Sequence, residues 1–440
     1  VSRSFLFCDC NGIRSAGRDA MANLQSSDLQ SLTSKTGLAS LPRNVWVVTL
    51  TSFLTDVSSE MLTTLLPLFL ANVLGARTSV IGLIEGVAEA TASLTKVFSG
   101  WLSDRLGRRK WLTVAGYALS TVCKPLLYFA DTWGWVLGSR FGERLGKGLR
   151  TAPRDALVAD SIDAGQRGLA FGLHRAGDTA GAVIGLLAAL GAVWAAHRNT
   201  ALLTRATFQT LVLLSIIPAT LAVIGLAVGA RETAVPAGRR SAEPTALSLA
   251  GFSAPFKWFL FIVVVFTLGN SSDAFLVLRA QAAGLPLAGV LGMMIPFNVV
   301  YALVSGPAGA LSDRIGRRRL MVGGWTLYGL IYLGFARAAA GWQAWALMAA
   351  YGLYYGLTEG VAKAFVADLV PAEKRGTAYG VFNAAVGLTA FPASFIAGVL
   401  WQGAFGWNGF GPGAPFYFGA GLAWLACGLM MFALRERVTS

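Results

Sequence analysis

The sequence predicts an all-α membrane protein with twelve transmembrane helices in two pseudosymmetric six-helix bundles. Composition, the spacing of apolar runs and an internal repeat carry that prediction. Of the 440 residues, 55% are hydrophobic and only 13% charged, with a mean hydropathy of +0.59. A soluble fold carries about twice that charged fraction. A bilayer core requires about 20 apolar helical residues per crossing. Twelve stretches meet that length: 44–73, 78–102, 111–130, 134–161, 167–196, 205–229, 255–281, 286–310, 320–338, 342–369, 376–402 and 414–434. Residues 100–110, GWLSDRLGRRK, and 309–319, GALSDRIGRRR, share eight of eleven positions at an offset of 209. Residues 158–172 and 366–380 share eight of fifteen at an offset of 208. Two matches at nearly one spacing imply a duplicated six-helix unit.

The expected organisation is a cytoplasmic, disordered tail over residues 1–42, one bundle over 43–229, a cytoplasmic linker over 230–254 and a second bundle over 255–435. The tail is Ser-rich and has neither an apolar signal core nor a small-residue cleavage site, and Met21 is a candidate initiator. The linker holds Pro236, Pro244 and the pair Arg239–Arg240. Loops rich in Lys and Arg stay in the cytoplasm. Arg43, Arg105, Arg108–Lys110, Arg167, Arg231, Lys257, Arg314, Arg317–Arg319, Lys374, Arg375 and Arg435 fall on one side, against Arg77, Arg198, Arg205 and Arg337 on the other. Both termini are therefore expected in the cytoplasm, with the chain in a bacterial inner membrane.

Other function classes find little support. The net charge of +14 is spread between apolar runs, so no nucleic-acid partner is expected. Cys8, Cys10, Cys123 and Cys427 have no zinc or disulfide spacing, and the two histidines, His174 and His197, have no metal spacing. The sequence lacks a G-x-x-x-x-G-K-[ST] phosphate loop. Neither an enzyme nor a cofactor is expected; the expected partners are lipid, a small solute and protons, and the expected state is a monomer.

Gly100, Asp104, Arg105, Gly107, Arg108 and Arg109 match G-x-x-x-D-R-x-G-R-R, and Gly309, Asp313, Arg314, Gly316, Arg317 and Arg318 repeat it. On these motifs the chain resembles the major facilitator superfamily, over about 390 residues. The resemblance implies secondary transport by alternating access, with both motifs forming a cytoplasmic gate in which Asp104 caps a neighbouring helix or pairs with an Arg. Positive-inside anchoring accounts for part of the Arg cluster but not for the two aspartates. Arg144, Gly148 and Ala152 resemble a fourth-span pattern of antiporters. Gly177, Gly181 and Gly185 resemble a fifth-span exporter pattern, with Ala182 and Leu186 replacing its Pro and last Gly; tight helix packing is the alternative. The phrases at 55–61 and 146–161 resemble a prokaryotic branch of the superfamily.

Ionisable groups inside a bilayer cost at least a few kcal/mol, so each is a functional candidate. Asp56 and Glu60 lie one turn apart on the first span, ~18 and ~24 Å from its inner end. Their mutual repulsion makes them candidates to bind a proton, or else they are static partners of nearby groups. Ser271–Asp273 echoes Ser58–Glu60, placing Asp273 beside Asn270 as the counterpart of Glu60 in the second bundle. Asp178 joins the proton-coupling candidates. Glu85 and Glu89 form a second pair, with Glu85 near the outer end where water can solvate it. On span four, Glu143, Lys147, Arg150 and Arg154 form one stripe beside Arg140 and Arg144. Either neighbouring carboxylates, such as Asp155, Asp160 and Asp178, neutralise that stripe, or Arg144 and Lys147 meet an organic or phosphorylated anion, with Lys124 in support. Substrate-binding candidates are Arg144, Lys147, Arg175, Asn270, Tyr355, Glu359 and Asn383. Tyr351, Tyr355 and Glu359 recur along one face of span ten, which also suits export of lipophilic cations, although Lys363 can pair with Glu359.

Overall fold

The computed structural model describes residues 38–163, 166–196, 202–233, 249, 251–371 and 374–433. Most of the tail and linker, together with Cys8, Cys10, His197, Arg198 and Arg435, lie outside them. The described residues form twelve long helices and no strand. In the first half these are α1 (Arg43–Val73), α2 (Thr78–Leu106), α3 (Arg109–Phe129), α4 (Trp133–Ala159), α5 (Arg167–Ala196) and α6 (Arg205–Gly229). In the second half they are α7 (Ala254–Ala282), α8 (Leu287–Ile315), α9 (Arg317–Arg337), α10 (Gly341–Leu369), α11 (Arg375–Gln402) and α12 (Ala414–Ala433). Helices are the form that satisfies every backbone group without water, as a bilayer demands.

Two helices run past their sequence-predicted ends. α2 and α8 continue to Leu106 and Ile315, because the Ser-Asp-Arg turn of each motif remains helical. They stop at Gly107 and Gly316, whose φ angles of 63° and 91° favour glycine. Span seven, predicted as one run, is broken: Ala254–Gly269 and Ala274–Ala282 flank an unwound turn at residues 270–273. Side chains supply partners for its freed backbone. Tyr328 donates to the Gly269 carbonyl (3.0 Å), and the Ser272 N–H donates to Ser394 Oγ (3.2 Å).

The two halves pack alike. In the first bundle α1 lies on α5 and α6, α2 on α4, and α3 on α4 and α6; the second repeats this as α7 on α11 and α12, α8 on α10, and α9 on α10 and α12. The bundles meet along α2–α11 and α5–α8, which are themselves pseudosymmetric equivalents.

The α2–α11 seam is closest toward the end opposite the two basic motifs. A Cβ on Gly82 would lie 2.1 Å from the Ser394 carbonyl oxygen, and one on Gly398 2.2 Å from that of Thr78. Gly86 and Gly387 make similar approaches to Phe391 and Ser93. Thr78 tightens the seam, donating from Oγ1 to the Gly398 carbonyl (2.8 Å) and from its N–H to Gln402 (2.9 Å). Toward the motif end, glycines 168, 172, 306, 309 and 376 would meet no atom within 4 Å, and Leu303 is 70% exposed. The bundles are therefore joined at the far end and splayed at the motif end. Gly82→Val or Gly398→Val should force the seam apart. A Ser394→Cys thiol, buried in the parent, should then react with a membrane-impermeant maleimide; protection retained in both variants would refute the assignment.

Candidate functional site

Between the bundles lie two polar chambers in series. The far chamber, about 370 Å³, includes Glu60, Glu85, Glu89, Arg144, Asn270, Asp273, Phe297 and Tyr355 in its wall. The near chamber, about 420 Å³ and closer to the motif end, includes Asp56, Glu60, Lys96, Lys147, Arg150, Arg154, Arg175, Asp178, Tyr301 and Glu359. Glu60 and Asn298 line both, so they mark the neck.

The glycines of α5 position the carboxylates of α1. Gly177, Gly181 and Gly185 bring α5 onto Thr49, Phe53 and Val57. A Cβ at Gly181 or Gly185 would come within 3.2 Å of the Asp56 Cβ or 3.1 Å of the Glu60 Cβ. This is the packing reading of that glycine pattern, and it bears on the site because α5 backs both acids. Among the described residues, neither Asp56 nor Glu60 has a hydrogen bond or ion pair to its side chain.

Along α4 the cations divide by partner. Arg140, 3% exposed, bridges Glu143 (2.6 Å) and Glu85 (3.3 Å). Glu85 is therefore buried in an ion cluster, not solvated as its position near the helix end suggested; the partner is one helix away and invisible to linear spacing. Arg144 pairs with Glu89 at 2.8 Å, and Arg154 with Asp155 at 2.8 Å. Asp160 pairs with Arg109. Arg150 meets no carboxylate among the described residues: it donates to Ser120 (2.9 Å) and lies 4.3 Å from the Tyr117 ring centroid. Lys147 and Lys96 project into the near chamber without a hydrogen bond or ion pair among the described residues. Lys124 is buried outside both chambers, bonded to Ser58 and Ser59.

In the second bundle, Asp273 follows directly from the unwound turn of α7 and accepts a bond from Tyr351 (2.8 Å). Asn270 accepts one from Tyr328 (3.3 Å). Glu359 receives Lys363 at 3.0 Å, the Tyr301 hydroxyl, and Arg175 of the opposite bundle at 3.5 Å. Arg175 also sits 4.8 Å from the Tyr301 ring centroid. Asp178 lies 3.5 Å from His174, a buried side chain. Asn383 is half-buried on α11 and lines neither chamber.

At the motif end, fully buried Arg109 reaches Asp104 (3.1 Å) and Asp160 at the end of α4. The tie to a neighbouring helix thus runs through Arg109, with Asp104 as its partner. Arg105 lies over Trp101 and Arg108 is exposed. In the second copy Arg317 pairs with exposed Asp313 (3.3 Å) and donates to the Ala364 carbonyl (2.6 Å); Arg318 donates to the Met430 and Met431 carbonyls at the end of α12. Arg314 is exposed. Gly100 makes only ordinary contact with Ala152 (3.4 Å), and Gly309 touches nothing, so neither enforces close approach here.

Sequence reasoning did not single out Lys96, Phe297, Asn298 or Tyr301. Lys96 was accessible as a lone intramembrane cation. The three α8 residues sit in an apolar run, and only the opposing bundle makes them wall residues.

The twelve-helix fold and its charged central cavity define a multi-pass membrane protein of the transporter class. The model of the Major Facilitator Superfamily matches residues 48–297 and 247–440, and the chain belongs to that family. An MFS-type transporter of Methanocaldococcus jannaschii is 36% identical over 399 residues, covering 89% of this chain and 95% of the relative. A Mycobacterium tuberculosis protein is 30% identical over 380 residues, covering 82% and 87%. Among solved structures, the nucleoside transporter NupG superposes with a TM-score of 0.70 at 13% identity, covering 90% of this chain and 100% of its own. A D-xylose–proton symporter does so at 0.69 and 19%, covering 90% and 98%. These identities establish a shared fold. The family makes this chain a transporter rather than an enzyme.

The Arg140 cluster gives a stability prediction. Arg140→Met leaves two carboxylates without their shared counter-ion and should cost about 3–5 kcal/mol, seen as a lowered thermal midpoint in detergent. Adding Glu85→Gln should recover part of the loss; an unshifted midpoint in Arg140→Met would refute the role.

Proposed function

We propose that the chain is a proton-coupled secondary transporter of the bacterial inner membrane, moving a small charged solute by alternating access as a monomer. The observation that carries this reading is the pair Asp56 and Glu60: two carboxylates one helical turn apart, on the chamber wall, without a direct cationic partner among the described residues. Two adjacent anions repel, so binding one proton relieves the pair. Facing them are Lys147, Arg150 and Arg154 from α4, Asp178 from α5 and, across the far chamber, Asp273 from α7. Moving a proton on or off Glu60 changes the charge at the neck joining both chambers, the position from which it can bias the two bundles.

With the basic motif end in the cytoplasm and both termini there, the splayed arrangement is the inward-facing state and the α2–α11 seam is the external barrier. The two motif copies then flank the cytoplasmic opening as its gate. On this reading the two rocking units are the domains 43–229 and 255–435. Solved neighbours include a nucleoside transporter and a D-xylose–proton symporter; at their low identity they share the fold and leave solute choice to this chain's own side chains.

Those side chains favour charge recognition. Lys147, Arg150 and Lys96 support an organic or phosphorylated anion in the near chamber. Asp273 with Phe297 and Tyr355 supports the alternative, a lipophilic cation exported against protons.

Coupling can be tested without knowing the solute. Spin labels at Leu106 and Ile315, exposed positions at the motif ends of α2 and α8, report bundle separation in a cysteine-replaced background. Lowering the pH should redistribute the separations in the parent, and Asp56→Asn/Glu60→Gln should remove that response. A pH-independent parent, or an unchanged response in the double variant, would overturn the coupling assignment.

A further inference from the structure

The charged side chains along the pathway sort by sign once those already engaged are set aside. In the far chamber Glu85 is held by Arg140 and Glu89 by Arg144. That leaves Glu60 and Asp273, two acids from opposite bundles, and no free cation among the described wall residues. In the near chamber Arg154 is held by Asp155 and Arg175 by Glu359, while Asp178 stands 3.5 Å from His174, which offsets its charge only when protonated. That leaves Lys96, Lys147 and Arg150 without a carboxylate partner among the described residues, facing Asp56, Glu60 and Asp178.

The cavity is therefore polarised along the transport axis, anionic toward the closed end and with its free cations toward the motif end. Tyr351 donates to Asp273 and so orients that carboxylate within the far chamber. Phe297 and Tyr355, with ring centroids 5.6 Å apart and planes nearly perpendicular, give the same chamber an apolar wall beside its acids.

A solute bearing one sign of charge satisfies only half of this arrangement. A simple anion at Lys147 leaves Asp273 without a cationic partner, and a simple cation at Asp273 leaves Lys96, Lys147 and Arg150 facing the near-chamber acids without a direct ion pair among the described residues. Desolvated charges are costly when unpaired, so the complementary solute carries both signs. We propose that this transporter takes a dipolar, amine-and-carboxylate type of solute, with its cationic group between Glu60 and Asp273, its anionic group at Lys147 with Lys96 and Arg150, and its connecting segment across the Glu60–Asn298 neck. The inference rests on reading the two chambers as the solute pathway, and it replaces the separate anion and cation readings by one ligand spanning both.

The test uses the purified full-length chain in lipid nanodiscs. The probes are a series of ω-amino carboxylates from glycine to aminooctanoate, each with its matching alkylamine and alkanoate, and binding is read by thermal stabilisation and calorimetry. At least one amino carboxylate should bind more tightly than either singly charged analogue of the same length. Asp273→Asn should weaken it on the order of tenfold, the loss of one charged hydrogen-bonding partner, while leaving the alkanoate unaffected. Lys147→Gln should do the reverse, sparing the alkylamine. If no amino carboxylate exceeds its singly charged analogues, or if both substitutions weaken the same analogue, the proposal is overturned. The pH response of the spin-labelled bundles separates the two failures: if it persists, coupling stands and only the solute class is wrong; if it is also absent, the underlying transport reading fails with it.

Discussion

The rest of the structure depends on how closely α2 and α11 can approach. Close contact along this seam requires the absence of side chains at Gly82, Gly86 and Gly398, which meet backbone, and at Gly387, which meets the Ser93 side chain, and Thr78 supplies hydrogen bonds where the bundles meet. In a bilayer, apolar side chains gain little by leaving lipid, so close packing of small residues and polar bonds take over the role that hydrophobic burial has in water. Joining the bundles at one end while leaving the glycines of the other end uncontacted produces a tapered space. Into that space project the charges that a lipid-facing surface could not carry.

The charges themselves follow a division of labour set by distance. Arg140 and Arg144 are drawn to Glu85, Glu143 and Glu89 within the first bundle, and Arg109 to Asp104 and Asp160 near its basic end. These pairs hold α2, α3 and α4 together as one body. Among the described residues Asp56, Glu60, Lys96 and Lys147 have no such partner, and they line the near chamber. A rigid bundle with a few unmatched charges on its inner wall is the arrangement in which proton or solute binding can shift one bundle against the other without melting either. The contact of Arg175 with Glu359 and Tyr301 belongs to a different category. It crosses between bundles at a partly exposed position, and Lys363 remains beside Glu359 if Arg175 departs. An exposed pair of this kind is worth ~0–1 kcal/mol, weak enough to break during the cycle.

Most of the architecture was legible in the chain. Long apolar runs reveal helices because a bilayer admits few alternatives, and the repeated Asp104 and Asp313 motifs reveal duplication because both copies retain their glycine terminators at 107 and 316. The intramembrane carboxylates were legible as well, since any charge in such a run stands out. The break in α7 was not, because residues 270–273 carry no proline, and the partners that satisfy the break, Tyr328 at the Gly269 carbonyl and Ser394 at the Ser272 N–H, lie far along the chain.

The sequence by itself determined the class of fold, the number of crossings and the identity of Asp56, Glu60, Asp178 and Asp273 as unusual groups, for each follows from local hydropathy or local spacing. Only the tertiary structure decided which charges are free. Arg144 reads in sequence as a binding residue and is held by Glu89; Asn383 reads the same way and lies off the cavity; Glu85 reads as solvated and is buried against Arg140. The physical reason is that ion pairing between helices depends on separations of a few ångströms across packed surfaces. Sequence spacing fixes those separations along one helix and leaves them open between two.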